Sequence, residues 1–200
     1  MSQRHLAARV QGALERLYGL DRVADVEDYL SEEGAPDERE ALLVRLAEDG
    51  AIEVRLCLPA IQPDASLDAI CQVIEGVSHF VYVVERARLQ RETTQLELEL
   101  QAEVDKWVVL AESIGAFDAE RSAMLRERLY ERVAFEHDEE TEMGQRYRMA
   151  NEAAHRFVRR LEREYLSAAA TRQRHSELRE ELRRFFHEGQ EEKLRLGRAA

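Results

Sequence analysis

Glu152-Ala-Ala-His155 is the first place in this chain where residue types and spacing could do chemistry, since Glu-x-x-His is the pattern of carboxylate-bridged di-iron helical bundles. That chemistry needs both side chains on an inward helix face, with further glutamates opposite. A helical projection places His155 about 110° from the apolar stripe, at ~100° per residue, beside Arg148, Asn151, Arg159 and Glu162. A cation-rich face repels a metal ion, and no second Glu-x-x-His follows in the helical half. Glu103 falls inside the stripe of Leu96, Leu100 and Trp107, where a carboxylate must be paired, protonated or turned out to water. His79 follows Ser78, but neighbouring residues on a strand point to opposite faces, so the two form no catalytic dyad. Glu152, His155, Glu103 and His79 are therefore the candidates for a metal or ligand site, and the expectation is no metal, no cofactor and no catalytic residue.

The other chemically charged feature is the C-terminal part of the chain. Residues 145–200 hold fourteen Lys/Arg against nine Glu, a net +5, while the whole chain is −12, which leaves −17 on residues 1–144. Arg156, Arg159, Arg160 and Arg163, then Arg172, Arg174, Arg179, Arg183 and Arg184, could cover phosphates. Glu152, Glu162, Glu164, Glu177, Glu180 and Glu181 are interleaved with them, the pattern of an exposed helix laced with ion pairs. An acidic body repels a polyanion, so nucleic acid is disfavoured, and the same glutamates oppose an anionic lipid surface. The expected destination is an acidic protein surface, on this chain or on a second copy, with Arg179, Arg183 and Arg184 as its charges and Phe185 and Phe186 as apolar anchors.

Bulk composition narrows the class further. Of 200 residues 44% are hydrophobic, enough for a core. Only Lys106 and Lys193 among the 29 basic residues are lysines, a bias that carries no functional reading by itself. The N-terminus runs straight into an amphipathic pattern with no apolar signal core, and no stretch reads as a transmembrane segment of ~20 apolar residues. Cys57 and Cys71 lack any metal or redox spacing and read as small hydrophobes in a reducing cytoplasm.

The elements that must position these groups follow from periodicity. Leu6, Val10, Leu14 and Leu17 predict a helix that stops at Gly19. Val23 to Leu30 reads as a helical turn or two, and residues 31–37, with Gly34 and Pro36, form a breaker run. Leu42, Val44 and Leu46, then Asp49-Gly50, then Ile52, Val54, Leu56 and Leu58, predict a β-hairpin over 41–58, closed by Pro59 and Pro63. Residues 66–75 predict a short helix stopped by Gly76, and 77–85, with five consecutive apolar residues from Phe80 to Val84, a covered central strand. That passage implies a right-handed crossover and a parallel third strand. Helices follow over 93–113, roughly 118–136 and 141–166, the last with the stripe Met143, Tyr147, Ala150, Ala154, Phe157, Val158, Leu161 and Tyr165. The acidic run 136–140, which lacks the ligand spacing of a calcium loop, reads as a solvated connector, and Ala168-Ala169-Ala170 leads into a last basic helix.

The expected class is α+β. A small mixed three-stranded sheet, a hairpin plus a crossover strand, would be flanked by helices in residues 1–113, followed by a mostly α-helical region over 114–200 with a basic C-terminal tail. The element order of 1–113, with its acidic balance, resembles the small secretion chaperones. The function expected is a non-enzymatic cytoplasmic interaction protein: an adaptor, chaperone-like factor or assembly subunit, binding a protein partner or self-associating into a homo-oligomer. The alternatives are a metal- or ligand-binding enzyme with carboxylate and histidine groups in a helix–sheet pocket, and nucleic-acid binding through the Arg-rich tail.

Overall fold

A computed structural model describes residues 2–22, 24–31, 39–46, 52–62, 64–115, 119–166 and 172–198. Along the chain run α1 (Gln3–Tyr18), a 3-10 turn (Val26–Tyr29), β1 (Ala41–Leu46), β2 (Ile52–Cys57), α2 (Leu67–Arg88), α3 (Gln95–Ser113) and α4 (Ala119–Arg126). A π-helical turn (Glu127–Glu131), α5 (Glu142–Tyr165), α6 (Arg172–His187) and α7 (Gln190–Arg198) complete it. The chain divides into two compact units, Met1–Arg16 with Leu20–Glu92, and Leu17–Gly19 with Thr93–Ala200. The Asp49-Gly50 turn, residues 32–37 of the breaker run and Ala168–Ala170 lie outside the described residues.

In the first unit, α1 buries Leu6, Ala7, Val10 and Leu14 along its stripe. Gln11, 2% exposed, pins the 3-10 turn to that helix: its amide donates to the Ala24 carbonyl at 2.7 Å and accepts from Val26 N–H at 2.9 Å. Strands β1 and β2 pair antiparallel, with Ala41 opposite Cys57 and Leu46 opposite Ile52. Leu56 and Leu58 face the core, whereas Leu43 and Val44 on β1 are exposed.

The three-stranded mixed sheet is not formed. Among the described residues the sheet is the two-stranded hairpin alone, and the chain is α-rich. Residues 77–85 belong to α2, a single 22-residue helix capped by the Ser66 hydroxyl, which accepts from Ala69 N–H at 3.1 Å. Two features of the sequence concealed this. Five consecutive apolar residues fit a two-sided strand and a deeply buried helix equally well, and α2 buries Val73, Ile74, Val77, Phe80, Val81 and Tyr82 at spacings of three and four. Gly76, read as a stop, lies mid-helix because the hairpin needs its missing side chain. A Cβ there would stand 2.6 Å from Leu58 Cδ2 and 3.1 Å from Leu56 Cδ1. Close approach of the sheet outweighs the ~1 kcal/mol a helix loses at glycine. With 77–85 helical, there is no crossover strand, and the element order behind the likeness to secretion chaperones is not that of this chain. By length and composition α2 could also cross a membrane, although more than half of that stretch is buried within the structure.

In the second unit, Thr94 and Glu97 form a reciprocal capping box that starts α3. Leu100, Val104, Trp107 and Ala111 of α3 and Ala150, Ala154, Phe157, Val158 and Leu161 of α5 are all fully buried. Helices α6 and α7 close over them. Phe185 stacks on Phe157 and Phe186 on Tyr18, each pair 4.2 Å between centroids. Gly197 of α7 lies so near Ala153 that a Cβ would come within 2.8 Å of its carbonyl oxygen. One polar cluster is sealed inside. Lys193, 0% exposed, donates to Gln101 Oε1 at 2.5 Å, and Gln101 Nε2 donates to Asp105 at 2.9 Å and to Tyr18 Oη at 3.1 Å. The Tyr18 hydroxyl also donates to Asp105. Burial, then the Asp105 charge, holds the Tyr18 phenol well above its usual range.

A candidate anion-binding groove between α4 and α5

Helix α5 buries one stripe and turns a second outward. Arg156, Arg159, Arg160 and Arg163 recur at spacings of three and four, so they share one strip of the helix surface. Across from them α4 contributes the small Ala119 and the long Arg126, and the space between is an open groove of about 780 Å³ lined by these residues and Glu162. Among the described residues five guanidinium groups and one carboxylate line the groove, and four of the five are paired with Glu162, Glu131, Glu152, Glu164 or Glu181.

A hydrogen-bonded chain ties this groove to the core. Trp107, fully buried, donates from Nε1 to Ser122 Oγ at 3.2 Å, and Ser122 donates to Glu162 Oε1 at 2.6 Å. The other oxygen of Glu162 accepts from Arg126 Nε at 2.7 Å. The π-helical turn adds Glu131, which accepts from Arg126 Nη1 at 2.6 Å, and Tyr130, whose hydroxyl donates to the Glu103 carbonyl at 2.8 Å. Burial opposes the charge on Arg126, but the bonds from Glu162 and Glu131 outweigh it and raise the guanidinium further above its usual value. His155 completes the set, with Nε2 2.9 Å from Arg126 Nη1 and its ring stacked on Tyr130 at 5.7 Å. A guanidinium nitrogen only donates, so Nε2 accepts and the ring proton belongs on Nδ1. Desolvation, then the charges of Arg126 and Arg159, lower the His155 pKa below its usual value against a smaller opposing pull from Glu131 and Glu162.

The arginines differ in how far they are engaged. Arg160 is held by Glu164 at 3.2 Å and Glu181 at 2.6 Å and lies over the Phe157 ring at 5.1 Å. Arg156 pairs with Glu152 one turn earlier. Arg163, 60% exposed, has among the described residues only its neighbour Glu164, at 3.5 Å. Arg159 is exposed and makes no hydrogen bond or ion pair among the described residues. Arg126 and Arg160 are fixed positive backing, while Arg156, Arg159 and Arg163 are the charges within a ligand's reach.

The residues singled out from the sequence are distributed differently. Glu152, 62% exposed, pairs with Arg156, while His155 Nε2 is taken by Arg126, so the Glu-x-x-His pair does not converge on a common point. Glu103 is nearly buried and bonded to Lys106 Nζ at 2.7 Å. His79, in α2 of the first unit, has Nδ1 3.7 Å from Glu40. In the basic tail, Arg179 approaches Glu112 at 3.5 Å, Arg183 donates to the Leu17 carbonyl at 2.7 Å, and Arg184 bonds Glu192 at 3.0 Å. Phe185 and Phe186 are 0% and 2% exposed, so both rings are spent on their own unit's core. The α5 arginines were visible in the sequence as a cluster. What was missed is Arg126, which no local pattern links to α5.

No protein-family model matches this chain, and neither the curated proteins nor the solved structures include a match.

Proposed function

We propose that this chain is a non-enzymatic protein-interaction module whose α4–α5 groove receives an acidic segment of a partner protein. The observation that carries the proposal is the open strip of Arg156, Arg159 and Arg163, backed by Arg126 and Arg160, on a chain whose net charge is −12. An arginine-lined groove on a negative molecule selects for the placement of charge as well as its sign, because a partner must present its acidic groups there while avoiding the rest. Each of the four groups singled out from the sequence has a charged neighbour: Glu152 has Arg156, His155 has Arg126, Glu103 has Lys106 and His79 has Glu40.

The test is fluorescence anisotropy of a labelled Glu/Asp-rich peptide titrated with the full chain. Binding should weaken steeply with added salt and fall at least about tenfold in R159A/R163A, as for exposed charge pairs at an interface. A peptide that binds both proteins equally, or neither, would overturn the groove as the partner site.

A further inference from the structure

We infer that the determinant read by the groove is a phosphoryl group on the acidic segment, held by Arg156, Arg159 and Arg163; this rests on the reading of the groove as a protein-binding site. A ligand must compete with glutamates already present. Arg156 already has Glu152, and Arg163 has Glu164 at 3.5 Å. A partner's carboxylate offers one negative charge and two oxygens, no more than the internal glutamate it would displace, and that glutamate is tethered. Exchange on those terms gains little.

A phosphoryl group changes the balance. It brings about −1.5 to −2 charges at neutral pH and three strong acceptor oxygens, enough to engage more than one guanidinium. Arginine's planar fork matches such oxygens two at a time, which lysine cannot do. Arg159 supplies a fork with no hydrogen bond or ion pair among the described residues, and Arg156 and Arg163 flank it one turn to either side. From Arg156 to Arg163 the helix rises ~10 Å, a length suited to one phosphoryl group with an acidic neighbour.

The same dimensions argue against nucleic acid. A strip of that length meets few phosphates of a continuous strand, and Glu131, Glu152, Glu162 and Glu164 stand around it to repel the rest. A single modified residue on a flexible segment avoids them.

The experiment uses the full chain and three labelled peptides of one acidic sequence with phosphoserine, glutamate or serine at the centre. A single-stranded oligonucleotide of matched length serves as a fourth probe. At neutral pH and physiological salt the phosphopeptide should bind at least about tenfold tighter than the glutamate peptide. R159A should remove about tenfold of that affinity, and R156A/R159A/R163A nearly all of it, with the helical circular-dichroism signal unchanged. R159K/R163K keeps the charge and loses the forks, so it should abolish most of the preference for phosphoserine while retaining weak binding to both acidic peptides. Equal, arginine-dependent binding of the phosphoserine and glutamate peptides would overturn the phosphoryl inference and leave the proposed function standing. Binding of neither peptide would overturn both. A phosphopeptide unaffected by the arginine changes, or an oligonucleotide that binds tighter than it, would overturn this assignment of the site.

Discussion

The second unit handles positive charge in two opposite ways. Lys193 is 0% exposed and is answered entirely from within, through Gln101 to Asp105 and Tyr18. The α5 arginines stand around an open groove, and one of them, Arg159, is answered by no described residue. A buried ammonium must be satisfied by the fold, because leaving it uncompensated costs several kcal/mol. A guanidinium in water costs almost nothing to leave open. Structural charge is therefore found where every partner is already present, and charge available for recognition where one is missing.

That contrast can be broken most severely at Lys193. Removing its amine in Lys193→Ala takes the ammonium donor from Gln101 Oε1 and opens a cavity beside Phe185, whose ring the ammonium covers at 4.7 Å. A loss of about 3–5 kcal/mol in denaturant unfolding is expected, with peptide binding unchanged wherever the chain remains folded. A loss below ~1 kcal/mol would show that the cluster is not structural.

Glu162 stands between the two cases, since it supports Ser122 and Arg126 while lining the groove. Glu162→Gln should cost about 1–3 kcal/mol by weakening a charged, largely buried bond. It should also tighten acidic-peptide binding, because the one lining carboxylate has lost its charge. Stability and affinity moving in the same direction would contradict its double role.

A smaller effect comes from pH. The folded chain lowers the His155 pKa, so the unfolded chain binds that proton more strongly, and stability falls as pH drops below about 6.5 toward the folded value. A protonated ring can no longer accept from Arg126, whereas Glu131, with an oxygen 3.3 Å from Nε2, can accept from it. Arg126→Ala should raise the His155 pKa in an NMR titration, and His155→Gln should flatten this part of the stability profile. A pKa unmoved by Arg126→Ala would remove the arginine from the account.

Arg159→Ala sits at the far end of the scale for stability, within about 0.5 kcal/mol of the parent in thermal unfolding, yet it should weaken acidic-peptide binding more than any other single groove substitution. A destabilisation above ~1 kcal/mol would mean that Arg159 is a structural residue after all.

Much of the helical framework was legible because it depends on local pattern. Leu100, Val104, Trp107 and Ala111, or Ala150, Ala154, Phe157 and Leu161, announce their helices by spacing. The hairpin was legible for the same reason, since alternation and its pairing partner lie within a few residues. The helical state of 77–85 was not, because an apolar run without polar interruptions has no period to read, and because the reason Gly76 sits mid-helix is Leu58, eighteen positions earlier.

The candidate site divides along the same line. Sequence alone determined that α5 carries arginines interleaved with glutamates at helical spacing, and it marked Phe185 and Phe186 as apolar anchors in need of a surface to cover them. Tertiary structure decided that the two rings are covered by Phe157 and Tyr18, and that Ser122 and Arg126 meet Glu162 forty and thirty-six residues on. It decided, too, that Arg159 faces an open groove with no internal partner among the described residues. The reason is physical: helix periodicity fixes direction around one axis, but which charge is neutralised depends on distances of a few ångströms between helices, and those are set by packing.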